Sequence, residues 1–491
     1  MQNLQLRGTI MSNSKKIGLW TLVMLIFVPT FGFGNITTNA VALGPAAIPS
    51  WLLVSVFFFL PLSAVIAELA SANNDKNGGL YNWIDSAIGS KWAYIGTWSY
   101  FISNLFYLQM VFARIPVMIS WAIFGENRFN DSNAYILSYL GIALAIILTW
   151  AATTGVKKFS KLSNLGGRFT IAVTVIFIVF AFVGLLVGKP SATEFTAASV
   201  VPKFNVDYFS TFSWLLFAVA GAEVAGTYIG EVDKPKKTFP KAVILATLLV
   251  AAAYTIGSVA LCVVASPDAI QKAGLKDAGY VVYKLLAENF GLNGKIIVQI
   301  YAAILTVTSI GAYIVWMESP IRAMFSEVPE GTFPKTLTKK DENGTLKNAL
   351  WIQCAILIIL VAVPAAGLRS IDTFFKFLTN LSSLSLILPY IILSGAYLVY
   401  RLKGNKAPYT MFKSNTAAIA VSILLLVLGI AGFFGAGLGD IVSAETKMDA
   451  IKAVGKDYGG PIVLILLGYI ISWITKLTSK NSSDSDKSTA A

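Results

Sequence analysis

Pro29-Thr30-Phe31-Gly32-Phe33-Gly34-Asn35 lies near the middle of an otherwise apolar run, residues 17–41. A membrane-crossing helix needs about 20 mostly apolar residues, and this run is long enough. Its centre, however, carries one proline and two glycines. Proline removes an amide donor and glycine lowers helicity. The run therefore predicts a helix that unwinds at mid-membrane depth and then resumes.

The rest of the chain supplies more such runs. We count twelve, at 17–41, 48–72, 92–124, 133–154, 165–187, 208–229, 241–265, 292–320, 347–367, 373–400, 415–438 and 459–478. They are called spans 1 to 12 below. Backbone groups in hydrocarbon must satisfy one another, which makes helices the default. Runs of this length are too long for barrel strands. The composition agrees: of 491 residues, 56% are hydrophobic and 13% charged, about half the charged share of a soluble domain. A water-soluble enzyme and a disordered chain are both excluded on that ground.

The net charge of +13 does not indicate nucleic-acid binding, because Lys and Arg fall in loops between the runs. With the N-terminus inside, 25 of the 38 basic residues fall on the inner side and 12 on the outer, with Arg114 left inside span 3. That asymmetry predicts cytoplasmic termini. Lys15 and Lys16 before span 1, with Ala40-Val41-Ala42 after its centre, mimic a signal peptide. The run is too long for one, and eleven more follow. Met11 offers a second start, so residues 1–10 are expected to be a start-site artefact. Residues 1–16 read as a cytoplasmic tail and 479–491, rich in Ser, Asp and Lys, as a disordered one. Cys262 and Cys354 sit inside apolar runs, so neither a disulfide nor a Cys-x-x-Cys metal site is expected. With no histidine in the chain, no metal and no cofactor are predicted.

Span 6 contains a second weak point, Phe217-Ala218-Val219-Ala220-Gly221-Ala222-Glu223-Val224-Ala225-Gly226. Spans 1 and 6 are corresponding members of two five-helix halves. Paired interruptions at matching positions point to a midplane substrate site. Amides at a half-helix N-terminus suit a carboxylate, and exposed carbonyls suit an ammonium. The competing explanation is close helix packing through small residues.

Four further strings resemble the amino acid–polyamine–organocation transporter superfamily, and within it the bacterial glutamate:GABA antiporter family. They are Ala67-Glu68-Leu69-Ala70 with Gly78-Gly79-Leu80-Tyr81-Asn82-Trp83, and Gly221-Ala222-Glu223 with Glu231-Val232-Asp233-Lys234-Pro235. The others are Ser319-Pro320-Ile321-Arg322-Ala323-Met324, and Gly331-Thr332-Phe333-Pro334. The resemblance implies an all-α polytopic membrane protein of leucine-transporter type. Two inverted five-helix repeats, 17–187 and 208–400, would be followed by two helices within 415–478. It implies alternating access in a bacterial cytoplasmic membrane. It implies that Phe31, Gly32, Phe33, Gly34 and Asn35 bind substrate at the first break, and Ala220, Gly221 and Ala222 at the second. It places Phe217 and Trp316 on substrate-stacking aromatics and Asn104 on the substrate path, with Tyr100 and Tyr107 one turn either side. Glu223 falls on a gating and proton-responsive glutamate. Asn164 stands where many relatives carry a lysine used in proton coupling.

The residues themselves add weight to some of these positions. A carboxylate at the depth of Glu223 is costly unless paired or wet, so its default reading is functional. Glu68, at the inner end of span 2, reads as a gate or a loop partner. Glu318 has Arg322 at i,i+4 spacing. Arg114, toward the outer end of span 3, is expected to face headgroups or an outer vestibule. Phe31, Phe33, Phe217, Trp316 and Tyr107 are candidates for an aromatic lining, where each ring over a cation is worth roughly 0.5–2 kcal/mol. The expected activity is secondary transport, exchanging an amino acid for its decarboxylation product or one amine for another. A proton-coupled importer is the alternative. The expected partners are small amino acids or amines, the lipid bilayer and a second copy in a homodimer.

Overall fold

The computed structural model describes residues 17–73, 79–154, 160–226, 232–327, 332–342, 344–365 and 370–489. The tail 1–16, the Gly78 that opens one motif, Glu231 and Gly331 lie outside the described residues, as do the side chains of Asn164 and Arg322. Among the described residues there are helices and no strand, only an isolated bridge between Ile17 and Val232.

Span 1 is two helices, Leu19–Thr30 and Phe33–Leu43. Phe31 (φ −92°, ψ 129°) and Gly32 (φ −150°, ψ 132°) between them are extended. Span 6 breaks in the same way. Val206–Ala218 stops, and Ala222–Gly226 resumes. Gly221 turns the chain at φ +131°, a region that side chains beyond Cα disfavour. The two broken spans run antiparallel. Val206–Ala218 packs on Phe33–Leu43, and Ala222–Gly226 packs on Leu19–Thr30. The breaks therefore lie at one level and touch. A Cβ added at Gly221 would come within 3.1–3.2 Å of Thr30 Oγ1, Pro29 C and Thr30 N.

Nine described helices are long and apolar enough to cross a membrane, against the twelve spans expected. The breaks account for much of the difference. They leave Leu19–Thr30 and both halves of span 6 too short, while Phe33 to Ala72 runs on as one 40-residue helical stretch through the turn at Gly44–Ala46. Span 9 has only the shorter apolar helix Lys347–Ala362. The last helix, Lys447–Thr489, continues through the polar residues after span 12. A helix not expected from the sequence, Pro267–Asn289, joins spans 7 and 8 and packs on Phe33–Leu43. Its mixed charge hid it from a search for apolar runs.

Burial separates inner from outer helices. The apolar windows of Phe33–Ala72 and Ser90–Phe124 are each 72% buried, whereas those of Leu165–Leu186 and Lys447–Trp473 are 22% buried. The outer helices expose Leu186, Trp150, Val179, Leu466 and Trp473, side chains suited to hydrocarbon. Span 3, Ser90–Phe124, packs along spans 8 and 10, Gly294–Glu327 and Ile371–Leu402. Both halves of span 1 pack with span 7, Pro235–Val264, and Ala222–Gly226 with span 2, Leu60–Ala72, while Val206–Ala218 also packs on span 10 and on Asn415–Gly435. The chain thus forms a bundle of broken helices beside a frame of continuous ones.

Glu68 is completely buried on the span 2 side of this division. Its carboxylate accepts from Arg401 Nη1 (3.0 Å), Tyr397 Oη (2.7 Å), and the amides of Met411 (2.7 Å) and Phe412 (3.1 Å). Arg401 also donates to Asn415 Oδ1 and the Phe412 carbonyl. A charged pair is tolerated in the interior when its remaining donors and acceptors are met. This one anchors span 2 to span 10 and to the segment after it. Removing one partner strands the other charge, at about 3–5 kcal/mol. Arg401→Ala is therefore expected to lower the unfolding midpoint in mild detergent strongly. Arg401→Lys, which keeps the charge, should lower it less. Equal midpoints for wild type and Arg401→Ala would contradict the anchor.

Candidate functional site

The site is built from the two breaks and the faces of spans 3, 7, 8 and 10 opposite them. A broken helix leaves carbonyls at one end and amides at the other without intrahelical partners. Tyr254 of span 7 meets several of these at once. Its hydroxyl lies 2.6 Å from the Thr30 carbonyl and 2.9 Å from the Ala218 carbonyl, donating its proton to one or the other. It accepts from the Gly32 amide (3.3 Å) and from Asn35 Nδ2 (2.9 Å). Tyr254 has no exposed surface. Trp51 stacks on its ring at 4.2 Å and donates from Nε1 to Ser258. One phenol thus joins both breaks.

Glu223 stands just past the second break. Its carboxylate accepts from the Gly221 amide (3.1 Å), Tyr390 Oη of span 10 (2.9 Å) and Tyr100 Oη of span 3 (3.3 Å). All three donors are neutral, and among the described residues no Lys or Arg forms an ion pair with it. The two tyrosines belong to the frame and the glutamate to the bundle.

Three of the expected lining aromatics meet. Tyr107 lies 6.1 Å from Phe217 and 5.4 Å from Trp316, ring centre to ring centre. Phe31 stacks on Phe27 at 5.2 Å and leans on Tyr254. Phe33 turns away from them and is buried between Phe177 and Tyr283. Phe31 lies in the extended break whereas Phe33 opens the resumed helix, so the two side chains leave the backbone in different directions. Asn104 bonds back to the Tyr100 carbonyl at 2.8 Å. Ala220 is half-buried, and Gly221 and Ala222 are buried. Gly32 and Gly34 leave backbone open at the first break. A Cβ added at Gly34 would be 3.9 Å from Arg114 Nη1. Glu68 makes its contacts with span 10 and residues 411–412, apart from these groups. Glu318 is buried in span 8.

Arg114, expected to face headgroups or an outer vestibule, is half-buried beside the first break. Its guanidinium points into the bundle rather than toward headgroups. It lies beside Gly34, 5.8 Å from the Phe375 ring centre, and within electrostatic reach of Tyr313, Tyr280 and Tyr107. Tyr280 comes from the Pro267–Asn289 helix, which also carries Asp277. Asp277 accepts from Trp121 Nε1 (2.8 Å) and Asn127 Nδ2 (2.9 Å), and burial pushes its carboxyl up to about 6. Sequence reasoning missed Tyr254 altogether. Tyr100, Tyr107 and Arg114 recur every seven residues, which was a legible signal for one shared helix face.

Paired helix breaks with partly exposed backbone, beside an aromatic cluster and a carboxylate, are the arrangement expected of a substrate site in a membrane transporter. Residues 17–448 match the family model described as amino acid permease, and the chain belongs to that family. It is 26% identical to the aspartate/glutamate permease of Lactococcus lactis subsp. cremoris, covering 97% of this chain and 99% of that protein. It is 22% identical to the glutamate/gamma-aminobutyrate antiporter of Lactococcus lactis subsp. lactis, covering 86% of this chain and 84% of that one. Among solved structures it is similar to MhsT in complex with L-phenylalanine, with a TM-score of 0.56 and 15% identity over 84% of this chain and 98% of that one. That likeness shows the leucine-transporter-type fold. The protein is thus an amino acid permease of the amino acid–polyamine–organocation superfamily, a multi-pass membrane transporter and not an enzyme.

Tyr254→Phe tests the joint between the breaks. It removes one hydroxyl and leaves buried backbone groups without a partner, at about 1–3 kcal/mol. A lower unfolding midpoint and a slower initial uptake rate are expected at equal amounts of reconstituted protein. An unchanged rate would show that the joint does not hold the site.

Proposed function

We propose that this permease exchanges an amino acid for its decarboxylation product, or for another amine, by alternating access. The observation that carries this reading is the position of Glu223. It is bound to its own break through Gly221 and to the frame through Tyr100 and Tyr390. Rocking the bundle against the frame must exchange those tyrosine bonds for others. A substrate ammonium at the second break is the cation that competes for the carboxylate. Substrate would enter between the breaks, with its α-carboxylate on the amides that open Phe33–Leu43 and its ammonium toward Glu223. Phe217, Tyr107 and Trp316 would close against it.

Hydrogen bonds to a charged group are worth about 1.5–3 kcal/mol, enough to make the empty carrier slow to reorient. Such a carrier exchanges faster than it performs net uptake. The antiporter among its relatives supports exchange as the mode. Counterflow in proteoliposomes checks this. Vesicles are preloaded singly with amino acids and amines, and entry of each labelled partner is followed. Rapid entry only against particular internal partners is the expected result, reduced about 10-fold or more in Glu223→Gln. Equal entry into empty vesicles under a proton gradient would replace exchange with proton-coupled import.

A further inference from the structure

Asp457 is a buried carboxyl that the exchange mechanism above leaves unused. It lies in the last helix, Lys447–Thr489, two residues before span 12, and is 1% exposed. Neither of its side-chain oxygens has a hydrogen-bond partner, and among the described residues no Lys or Arg lies within ion-pair distance of it. Glu68, by contrast, accepts from Arg401, Tyr397 and two amides. The two cations near Asp457 are already taken. Lys456 Nζ lies 2.9 Å from Asp440 Oδ2, and Lys376 Nζ of span 10 lies 3.7 Å from Asp440 Oδ1. Asp440 belongs to the short helix Leu438–Val442 and is partly exposed. Lys376, Asp440 and Lys456 are the charged groups within electrostatic reach of Asp457. Span 3, also packed on the last helix, turns Phe106 toward Gly460, one turn further on. The helix is pinned at this point. Tyr458 is buried, donates to the Phe434 carbonyl (2.6 Å) and accepts from the Gly437 amide (3.0 Å). A carboxylate held dry and without a donor is costly, and such a group takes a proton instead. A metal ion would need further ligands, and among the described residues no group of three or more metal-binding side chains occurs.

We infer that Asp457 is a proton-binding site, occupied in this conformation, and that its proton decides how Asp440 is clamped. With Asp457 neutral, both lysines stay on Asp440, which ties span 10 and the last helix to Leu438–Val442. That short helix packs on Val206–Ala218, the half of span 6 that leads into the second break, and a Cβ added at Gly439 would come within 2.7 Å of Ser210 Oγ. When the proton passes to water, the charged Asp457 draws a lysine from Asp440 and the clamp loosens. No other bond is made or broken. The site stands apart from the exchange reading and holds whichever substrates are carried.

Infrared spectroscopy of the full chain in mild detergent reads the proton directly, because a protonated carboxyl has a carbonyl band that a carboxylate lacks. At neutral pH, one such band of the wild type should be lost in Asp457→Asn. Thermal unfolding tests the release. Asparagine is nearly isosteric with the neutral acid, so the two midpoints should coincide in acid. As the pH rises, the wild type should lose stability and the variant should keep it, since the folded chain binds a proton that the unfolded chain gives up. Counterflow with equal pH on both sides should likewise decline more in the wild type. An unchanged carboxyl band in Asp457→Asn overturns the inference, as does a variant that fails to fold or unfolds below the wild type in acid. Those are the results for an ionised or merely structural aspartate. Midpoints that coincide at every pH overturn the release step. Each of these leaves exchange intact.

Discussion

Everything in the centre of this protein depends on how the broken backbone is satisfied. Two helices that stop inside a membrane expose carbonyls and amides where water is scarce, and each group left alone costs several kcal/mol. The Tyr254 hydroxyl donates to the Thr30 or the Ala218 carbonyl and accepts from the Gly32 amide and Asn35 Nδ2. Because these come from both breaks, the phenol also sets their spacing. Gly221 completes the arrangement by letting the second break approach within contact of Pro29 and Thr30. What remains open, at the start of Phe33–Leu43 and around Ala220, is available to a ligand.

The buried charges divide in a way that mirrors this. Glu68 and Arg401 satisfy each other and the segment around them, so they act as a fastener between helices. Among the described residues, Glu223 accepts from neutral donors and Arg114 lies beside neutral rings. A charge held by neutral dipoles can accept a counter-charge later, whereas a charge already paired cannot without losing its partner.

The sequence made the breaks legible because proline and glycine act locally: Pro29, Gly32 and Gly221 alter the backbone wherever they stand. Glu223 was legible because a carboxylate at that depth has few reasons to exist. Phe217, Tyr107 and Trp316 lie together, although in the sequence any one of them resembles ordinary packing. Other features required three dimensions. Tyr254 is one of 19 tyrosines in the chain and has no local mark of its role. Phe33 departs from the lining because the helix restarts there and rotates it toward Phe177. Arg114 counts in the sequence as a basic residue near a span end, and only the fold shows its guanidinium against Gly34. The number of continuous spans could not be read from hydropathy, since a break changes the length of a helix without changing its composition.

The central claim is that substrate lies between the two breaks, against Tyr107 of span 3. The most direct measurement is a cryo-electron microscopy map of the reconstituted protein with saturating L-glutamate, compared with a map in its absence. The account predicts added density bounded by Gly32–Gly34, Ala220–Gly221, Tyr107 and Trp316. Added density elsewhere, with none between the breaks, would contradict it.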